Sequence, residues 1–449
     1  MTHFRRRYRR TMRHAIGWAD LAGVRVGVFG AGVEGQSALT RLSELTTDIV
    51  VVDDDPNIEL PGVTVEATDA GGFELLASCD VVIKSPGFSR YRPDIMALER
   101  SGIPVVGGTG LSMHELDRSK IICVTGTKGK STTASVLGHL LTQFGLRTEV
   151  TGNIGRPLFD AALPSDLDAI VVETSSFQAL DIADAPGIVV VTSLATDHVD
   201  WHGSIEQYHV DKLSLTSLPD AQLTVAQRLS PALQQRADLL GGDVRWSNGL
   251  AKSWAAPLGL VGDHNLANAE LARLAALAFG VEQASDEEAL SIAAQGFEPL
   301  PGRLSAVGTL GDVRFIDDSL ATNVLPTLTA LEALQGERLA ILIGGYDRGV
   351  DYTELIEALA HRDSPTLVLG LPDSGERLCE AIGRITTHTS VTLAPDIGSG
   401  VDAAYAWAKP TGIVLLSPAA PSFSQFANWK ERSDAFRSSV NDLLSRNAH

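Results

Sequence analysis

The stretch Thr125-Gly-Thr-Lys-Gly-Lys-Ser-Thr-Thr133 decides how the rest of this chain is read. The apolar run Ile121-Ile-Cys-Val124 precedes it, and Ala134-Ser-Val-Leu-Gly-His-Leu-Leu141, with helical spacing, follows it. Strand, glycine-rich turn and helix N-terminus in that order make a phosphate cradle. Backbone N–H groups close on phosphate oxygens, and the helix terminus adds partial positive charge. Gly126, Thr127, Lys128 and Gly129 form the loop, Lys130 can reach terminal phosphates, and Ser131 or Thr132 can offer a hydroxyl to Mg²⁺. Only Thr127 and Lys128 separate Gly126 from Gly129-Lys130, fewer residues than the usual pattern has. An ordinary glycine-rich βα turn is the alternative; strand, glycines, lysine and hydroxyls together favour a nucleoside-triphosphate site.

A chain of 449 residues suggests about three domains of about 150 residues each. Hydrophobic residues at 44% and charged residues at 20% suit a soluble globular protein. A net charge of −19 argues against a broad nucleic-acid surface, which needs clustered cations, but leaves small anionic ligands open. The N-terminus runs the other way, with Arg5-Arg-Arg-Tyr-Arg-Arg10 and Arg13. No apolar segment follows, so it reads as a disordered basic arm over residues 1–20, or as sequence upstream of a true start at Met12. A weak contact with an anionic membrane is the other reading. Cys79, Cys123 and Cys379 are scattered and fit reduced core thiols, and no apolar run is long enough to span a membrane. Both point to the cytoplasm.

Working outward, short β-rich runs alternate with helical patterns, so the fold class is α/β with mainly parallel sheets. Val24-Arg-Val-Gly-Val-Phe29 leads into Gly30-Ala-Gly-Val-Glu-Gly35; Ile49-Val-Val-Val52 ends in Asp53-Asp-Asp55, and Val81-Val-Ile83 in Ser85-Pro-Gly87. This is a Rossmann-like opening, suited by itself to NAD, FAD or a UDP-sugar. Ile103-Pro-Val-Val-Gly-Gly108 reads as a last strand before a linker. Strands Ala169–Val172 and Gly187–Thr192 belong with the phosphate loop. Leu339–Ile343, Thr366–Leu369 and Ile413–Leu416 belong to a third region, beginning near Leu300-Pro-Gly-Arg303. The expected domains are 21–108, 109–300 and 301–449.

Glu173-Thr-Ser-Ser-Phe-Gln178 sits just beyond an apolar strand, where a carboxylate can face phosphate and Mg²⁺; a solvated strand end is the alternative. His198, Asp200 and His202, in Asp197-His-Val-Asp-Trp-His-Gly203, could form a transition-metal cluster, although the nearby phosphate loop favours Mg²⁺. Asn153 offers an uncharged amide at the same end, and Lys212 reads as a solvated helix residue.

Gly-Thr-Lys-Gly-Lys-Ser131, Glu173-Thr-Ser-Ser-Phe-Gln, Asp197-His-Val-Asp, Gly262-Asp-His-Asn-Leu-Ala-Asn268 and Asp318-Ser-Leu-Ala-Thr-Asn323 occur in that order, and together they resemble the Mur ligases. The likeness runs from about residue 22 to about 440. Gly30–Gly35, Ser85-Pro-Gly87, Ser417-Pro-Ala and Gln425-Phe-Ala-Asn428 are similar to the branch that adds glutamate to UDP-N-acetylmuramoyl-L-alanine in peptidoglycan precursor synthesis. The resemblance implies a UDP-sugar-binding first domain (not NAD), an ATP-binding central domain and an amino-acid-binding C-terminal domain. It implies ATP and two Mg²⁺ ions as cofactors, held by Ser131, Thr132, Glu173, His198 and Lys212, the last carbamylated into a metal-binding carboxylate. Lys130, Glu173, His198 and Lys212 are then catalytic, while Asn268, Arg303 and Asp318 join the loop on the nucleotide. Gly32, Val33, Glu34, Asp53, Ser85, Pro86, Gly87 and Asn153 would face the sugar nucleotide or its peptide. The implied chemistry activates the alanine carboxylate as an acyl phosphate, which the glutamate amine then attacks.

The departures gather where the amino acid is expected. Leu320 replaces the branch's usual lysine, Arg348 stands at a later lysine, and Ser422, Phe423 and Trp429 alter the last contacts; Thr322 is retained. Arginine binds carboxylates bidentately, and inverting the α-carbon exchanges the regions that the two carboxylates occupy. Gly344-Gly-Tyr-Asp-Arg-Gly-Val-Asp351 and Ser417-Pro-Ala-Ala-Pro-Ser-Phe423 resemble a sub-branch using L-glutamate, which implies a separate epimerase downstream. Drift within a D-glutamate enzyme is the alternative. A P-loop phosphotransferase or regulatory NTPase is the more distant one, and a monomer is expected.

Overall fold

The computed structural model describes residues 13–385, 389–423 and 425–447; the Arg5–Arg10 run lies outside them. Three open sheets carry the chain. The first has order β3-β2-β1-β4-β5, from Val26–Phe29 (β1), Ile49–Asp53 (β2), Val65–Ala67 (β3), Val81–Lys84 (β4) and Val105–Val106 (β5). The second has order β11-β10-β9-β6-β8-β7, from Ile121–Thr125 (β6), Thr148–Gly152 (β7), Ala169–Glu173 (β8), Ile188–Val191 (β9), Leu223–Ala226 (β10) and Asp243–Trp246 (β11). The third has order β12-β13-β17-β14-β15-β16, from Ser305–Leu310 (β12), Asp312–Asp317 (β13), Leu339–Ile343 (β14), Thr366–Gly370 (β15), Ser390–Leu393 (β16) and Thr411–Leu416 (β17). All pairings are parallel except β12 with β13.

Central strands such as β1, β6, β8 and β14 are buried at every position, because helices cover both faces and leave no place for alternating polar residues. That is why they are legible as unbroken apolar runs. Edge strand β16, Ser-Val-Thr-Leu, is exposed throughout and lacks that signature.

The described residues divide into two compact units: those up to Trp254 with Ala267–Ala293, and Ala255–Leu266 with those from Ala294 on. The first unit holds two sheets because a buried polar junction joins them. Asp181 accepts from Lys84 Nζ at 2.7 Å and Arg90 Nε at 2.6 Å, and Arg90 also pairs with Glu99 at 2.8 Å. Burial alone would raise the Asp181 pKa, but the two cations hold it below the ordinary carboxylate range. The predicted linker after Ile103–Gly108 is instead the buried helix Gly108–Glu115. A Cβ at Gly110 would lie 2.1 Å from the Asp181 carbonyl, so the close approach demands glycine there.

Residues 13–20 are likewise part of this unit rather than of a disordered arm. Trp18 and Leu21 are core residues, Trp18 Nε1 donates to Ser112 Oγ at 2.8 Å, and Arg13 bonds Ile182 O and Ser214 Oγ. Cys79, Cys123 and Cys379 are free and buried, as expected. Among the described residues no helix is long and apolar enough to cross a membrane.

Candidate functional site

In an open parallel sheet, ligands sit beyond the carboxyl ends of the strands where the order reverses. In the second sheet that strand is β6: β8 and β7 lie on one side of it, β9 to β11 on the other. The Gly126–Thr132 loop leaves β6 and opens the helix Lys130–Gln143. Gly126 has φ +135° and a Cβ there would meet Thr192 Oγ1 at 2.1 Å; Gly129 has φ +87° and its Cβ would meet Asn268 Oδ1 at 2.4 Å. Neither position accepts a side chain, which explains the glycines. Thr127 N donates to Ser193 O at 2.8 Å and Lys128 N to Ser193 Oγ at 2.9 Å, so the end of β9 holds the loop from below. Lys130 Nζ donates to the carbonyls of Gly126 at 3.0 Å and Thr127 at 3.2 Å, folded over its own loop.

Around this loop, Glu173 is 1% exposed at the end of β8, not a solvated strand end. Its Oε1 accepts from Asn153 Nδ2 at 2.9 Å, while Oε2 is buried without a hydrogen-bond partner. An orphaned carboxylate oxygen is costly to bury and suits a cation. Lys212 is also buried, contrary to the solvated helix position expected from sequence alone. Its Nζ donates to Gly126 O at 3.0 Å and lies 4.9 Å from the Tyr208 ring centroid. Burial, and then the charge of Lys130, push its pKa well below the usual lysine range. The neutral amine so favoured is the form able to take up CO₂.

His198 stands at φ +47°, half-exposed, with its pKa lowered by burial. His202 points elsewhere, to Asp211 and Ser176, and Asp200 is exposed. Among the described residues no three His, Cys, Asp or Glu side chains converge on a metal position, so the transition-metal cluster is not formed.

The first sheet reverses at β1, whose end carries the Gly30–Gly35 turn. Gly32 caps the helix Val33–Leu42; Gly32 and Val33 are exposed, leaving the helix N-terminus open. Asp53 Oδ2 accepts from Ala31 N at 2.7 Å and Ser85 Oγ donates to Gly30 O at 3.1 Å, so these two brace the turn. Pro86 and Gly87 continue that loop, and Gly87 O accepts from Trp201 Nε1 at 3.1 Å. Glu34 accepts from Gln178 Nε2 at 2.8 Å, and burial pushes its carboxyl up to about 7.

The remaining candidates lie in the second unit. Asp318, at the end of β13, accepts from Leu304 N at 3.2 Å and Ser417 Oγ at 2.7 Å, and burial raises its carboxyl to about 7. Arg303 and Arg348 are exposed, Thr322 and Leu320 half-buried, Ser422 buried and Phe423 67% exposed. Trp429 packs over Gly302, where a Cβ would meet its ring at 3.1 Å. Arg432, absent from the sequence-based candidates, is buried and donates to Ala420 O and Ser319 O, both at 2.9 Å, tying two of these loops together. Asp181 and Asp211 were missed in the same way, while His202 was read as a possible metal ligand and instead joins Asp211 and Ser176. Lys84 offered a signal, a lone cation closing the apolar strand Val81–Ile83.

A glycine loop at the switch point of a parallel sheet, with a half-buried and a buried lysine and an orphaned carboxylate beside it, defines a nucleotide-using P-loop enzyme. Residues 124–243 match the Mur ligase middle domain, and residues 302–420 match the Mur ligase glutamate ligase domain. The UDP-N-acetylmuramoyl-L-alanine–L-glutamate ligase of a Micromonospora species is 36% identical, over 96% of this chain and 99% of that protein. The enzyme of that name from Xanthomonas euvesicatoria is 32% identical, over 93% and 95%. Among solved structures, the UDP-N-acetylmuramate–alanine ligase of Thermotoga maritima matches with TM-score 0.55 at 16% identity, covering 94% of this chain and all of that one. The MurF ligase of the same organism, in complex with ADP, matches with TM-score 0.55 at 14% identity, over 96% and 98%. The chain belongs to the Mur ligase family, the ATP-dependent enzymes that form amide bonds in peptidoglycan synthesis.

Proposed function

We propose that this enzyme joins L-glutamate to UDP-N-acetylmuramoyl-L-alanine, with ATP converted to ADP and phosphate. The observation that carries the chemistry is the gathering of Lys130, Lys212 and the orphaned Glu173 carboxylate at one phosphate loop. The full-length relatives bearing that name support the choice of substrates.

Lys130 exchanges the carbonyls of Gly126 and Thr127 for the γ-phosphate as the alanine carboxylate attacks it, giving an acyl phosphate. Backbone N–H groups of residues 126–132 and the helix terminus hold the remaining phosphate charge in place, so positioning and preorganised charge supply most of the rate. Ser131, Thr132, Glu173, His198 and carbamylated Lys212 would hold two Mg²⁺ ions, whose charge neutralises the transferring phosphoryl group. Asn153 keeps one Glu173 oxygen engaged, leaving the other free for that role. The glutamate amine then attacks the activated carbonyl and phosphate leaves. Asn268, Arg303 and Asp318 serve the nucleotide, and the open helix N-terminus at Gly32–Val33 serves the uridine diphosphate.

Arg348, Thr322, Ser422, Phe423 and Trp429 receive the amino acid, and Leu320 in place of a lysine moves carboxylate recognition onto the Arg348 fork. A cytoplasmic monomer whose product passes to an epimerase completes the reading. The test offers the purified chain ATP, Mg²⁺ and UDP-N-acetylmuramoyl-L-alanine with each glutamate enantiomer separately. Efficient ligation of L-glutamate is expected. Use of D-glutamate alone overturns the stereochemistry, and phosphate release without any amino acid points to an NTPase instead.

A further inference from the structure

Three short elements carry the residues assigned to the metal-assisted step, and each also carries one member of a buried hydrogen-bonded chain. Ser176 opens the turn of helix that follows Glu173, His202 ends the one that starts after His198, and Asp211 immediately precedes Lys212 on the helix Ile205–Leu213. His202 Nδ1 lies 2.6 Å from Asp211 Oδ2, and His202 Nε2 lies 3.0 Å from Ser176 Oγ. An aspartate facing Nδ1 accepts a hydrogen bond from the N–H there, so the ring proton sits on Nδ1 and Nε2 accepts from the Ser176 hydroxyl. Asp211 is satisfied on its other sides. Tyr91 OH lies 2.9 Å and 2.8 Å from its two oxygens, and Gln207 Nε2 donates to Oδ1 at 2.7 Å.

Serine, histidine and aspartate in this order have the connectivity of a nucleophilic triad. Ser176 is only 1% exposed, however, and no substrate carbonyl can approach its hydroxyl. The chain of bonds faces inward and links elements to each other. We infer that His202, through Ser176 and Asp211, is a positioning residue: it holds the Glu173, His198 and Lys212 elements in the mutual placement that divalent-cation binding requires. Tyr91, from the loop after β4, ties the first sheet's substrate loop to the same anchor. This rests on the ligase reading above. The physical ground is that two ions sharing ligands from three separate elements tolerate little misplacement, and groups that fix the placement of ligands commonly change affinity about 10–100-fold.

The test uses the full chain in two measurements. One is Mn²⁺ binding to the enzyme–ATP complex, read by electron paramagnetic resonance and expected to weaken across the variants in the same order as the Mg²⁺ shifts. The other is glutamate-dependent phosphate release at saturating ATP and substrates, titrated with Mg²⁺. His202→Phe keeps a ring in the space and removes both hydrogen bonds. It should raise the Mg²⁺ concentration for half-maximal rate about 10-fold or more, leaving the KM for glutamate within about twofold. His202→Asn, whose amide can still donate to Asp211, should recover part of that shift. Ser176→Ala, losing one bond of the chain, should give a smaller shift in the same direction, and it decides the matter should His202→Phe not fold. A wild-type Mg²⁺ response in the folded variants, or a loss of kcat with an unchanged Mg²⁺ midpoint, overturns the inference. Absence of glutamate-dependent phosphate release from the wild-type chain would instead strike the ligase reading itself.

Discussion

The strand ends of the second sheet and those of the third share one architecture and differ in finish. At the second, Thr127, Ser131, Glu173 and Lys212 are all buried, and loop glycines admit no side chain. At the third, Tyr346 is 46% exposed, and Phe423, Arg303 and Arg348 stand in solvent, while the buried groups Asp318 and Arg432 sit behind them. The difference follows the work proposed for each. Phosphoryl chemistry needs charge fixed in advance in a water-poor site, since reorganising dipoles during reaction costs rate. Choosing an amino acid needs a surface that a free ligand can enter, with rigidity supplied from beneath.

The sharpest way to break this contrast is Lys130→Ala. It removes a fixed cation from the preorganised end and should lower glutamate-dependent phosphate release at least about 10³-fold; a near-normal rate would disprove the phosphate-loop assignment. Next, Asp181→Ala tests whether the first unit owes its firmness to the junction. It leaves Lys84 buried without its carboxylate and Arg90 with Glu99 as its remaining acid, and urea unfolding should show a loss of about 3–5 kcal/mol. An unchanged midpoint would mean that water reaches the junction.

At the open end, Arg348→Ala should raise the KM for glutamate about 10–100-fold, the loss of a charge-assisted hydrogen-bond pair, with the KM for ATP unchanged. Arg348→Lys should recover only part, because an ammonium lacks the fork. A uniform change in both KM values would count against a carboxylate-binding role.

The smallest effect concerns the support beneath. Burial lifts the Asp318 carboxyl to about 7 from 3.8, so the folded chain retains a proton that the unfolded chain releases. Its contribution to stability is complete below the unfolded value and is lost as pH rises towards 7. Asp318→Asn should flatten the pH dependence of thermal unfolding across that window; an identical slope in both proteins would remove the linkage.

Much of the fold was legible because parallel strands covered on both faces must be apolar throughout. Ile121–Val124, Ala169–Val172 and Leu339–Ile343 announce themselves in that way, and the glycines after β1 and β6 mark where the sheets reverse. Edge strands such as Ser390–Leu393 and the antiparallel pair β12–β13 carried no such run and were not read. The Gly108–Glu115 helix was mistaken for a linker because glycine signals flexibility in sequence, whereas here it permits close packing on Asp181.

The sequence by itself determined the order of α/β regions, the phosphate loop, the family and the residue types available for chemistry, because these rest on local periodicity and on motifs contiguous in the chain. Tertiary structure alone decided that Lys212 is a buried amine rather than a solvated one. It alone turned His202 away from His198 towards Asp211 and Ser176, and left one Glu173 oxygen without a partner. Burial and pairing depend on what distant segments bring alongside a side chain, and no local pattern encodes that.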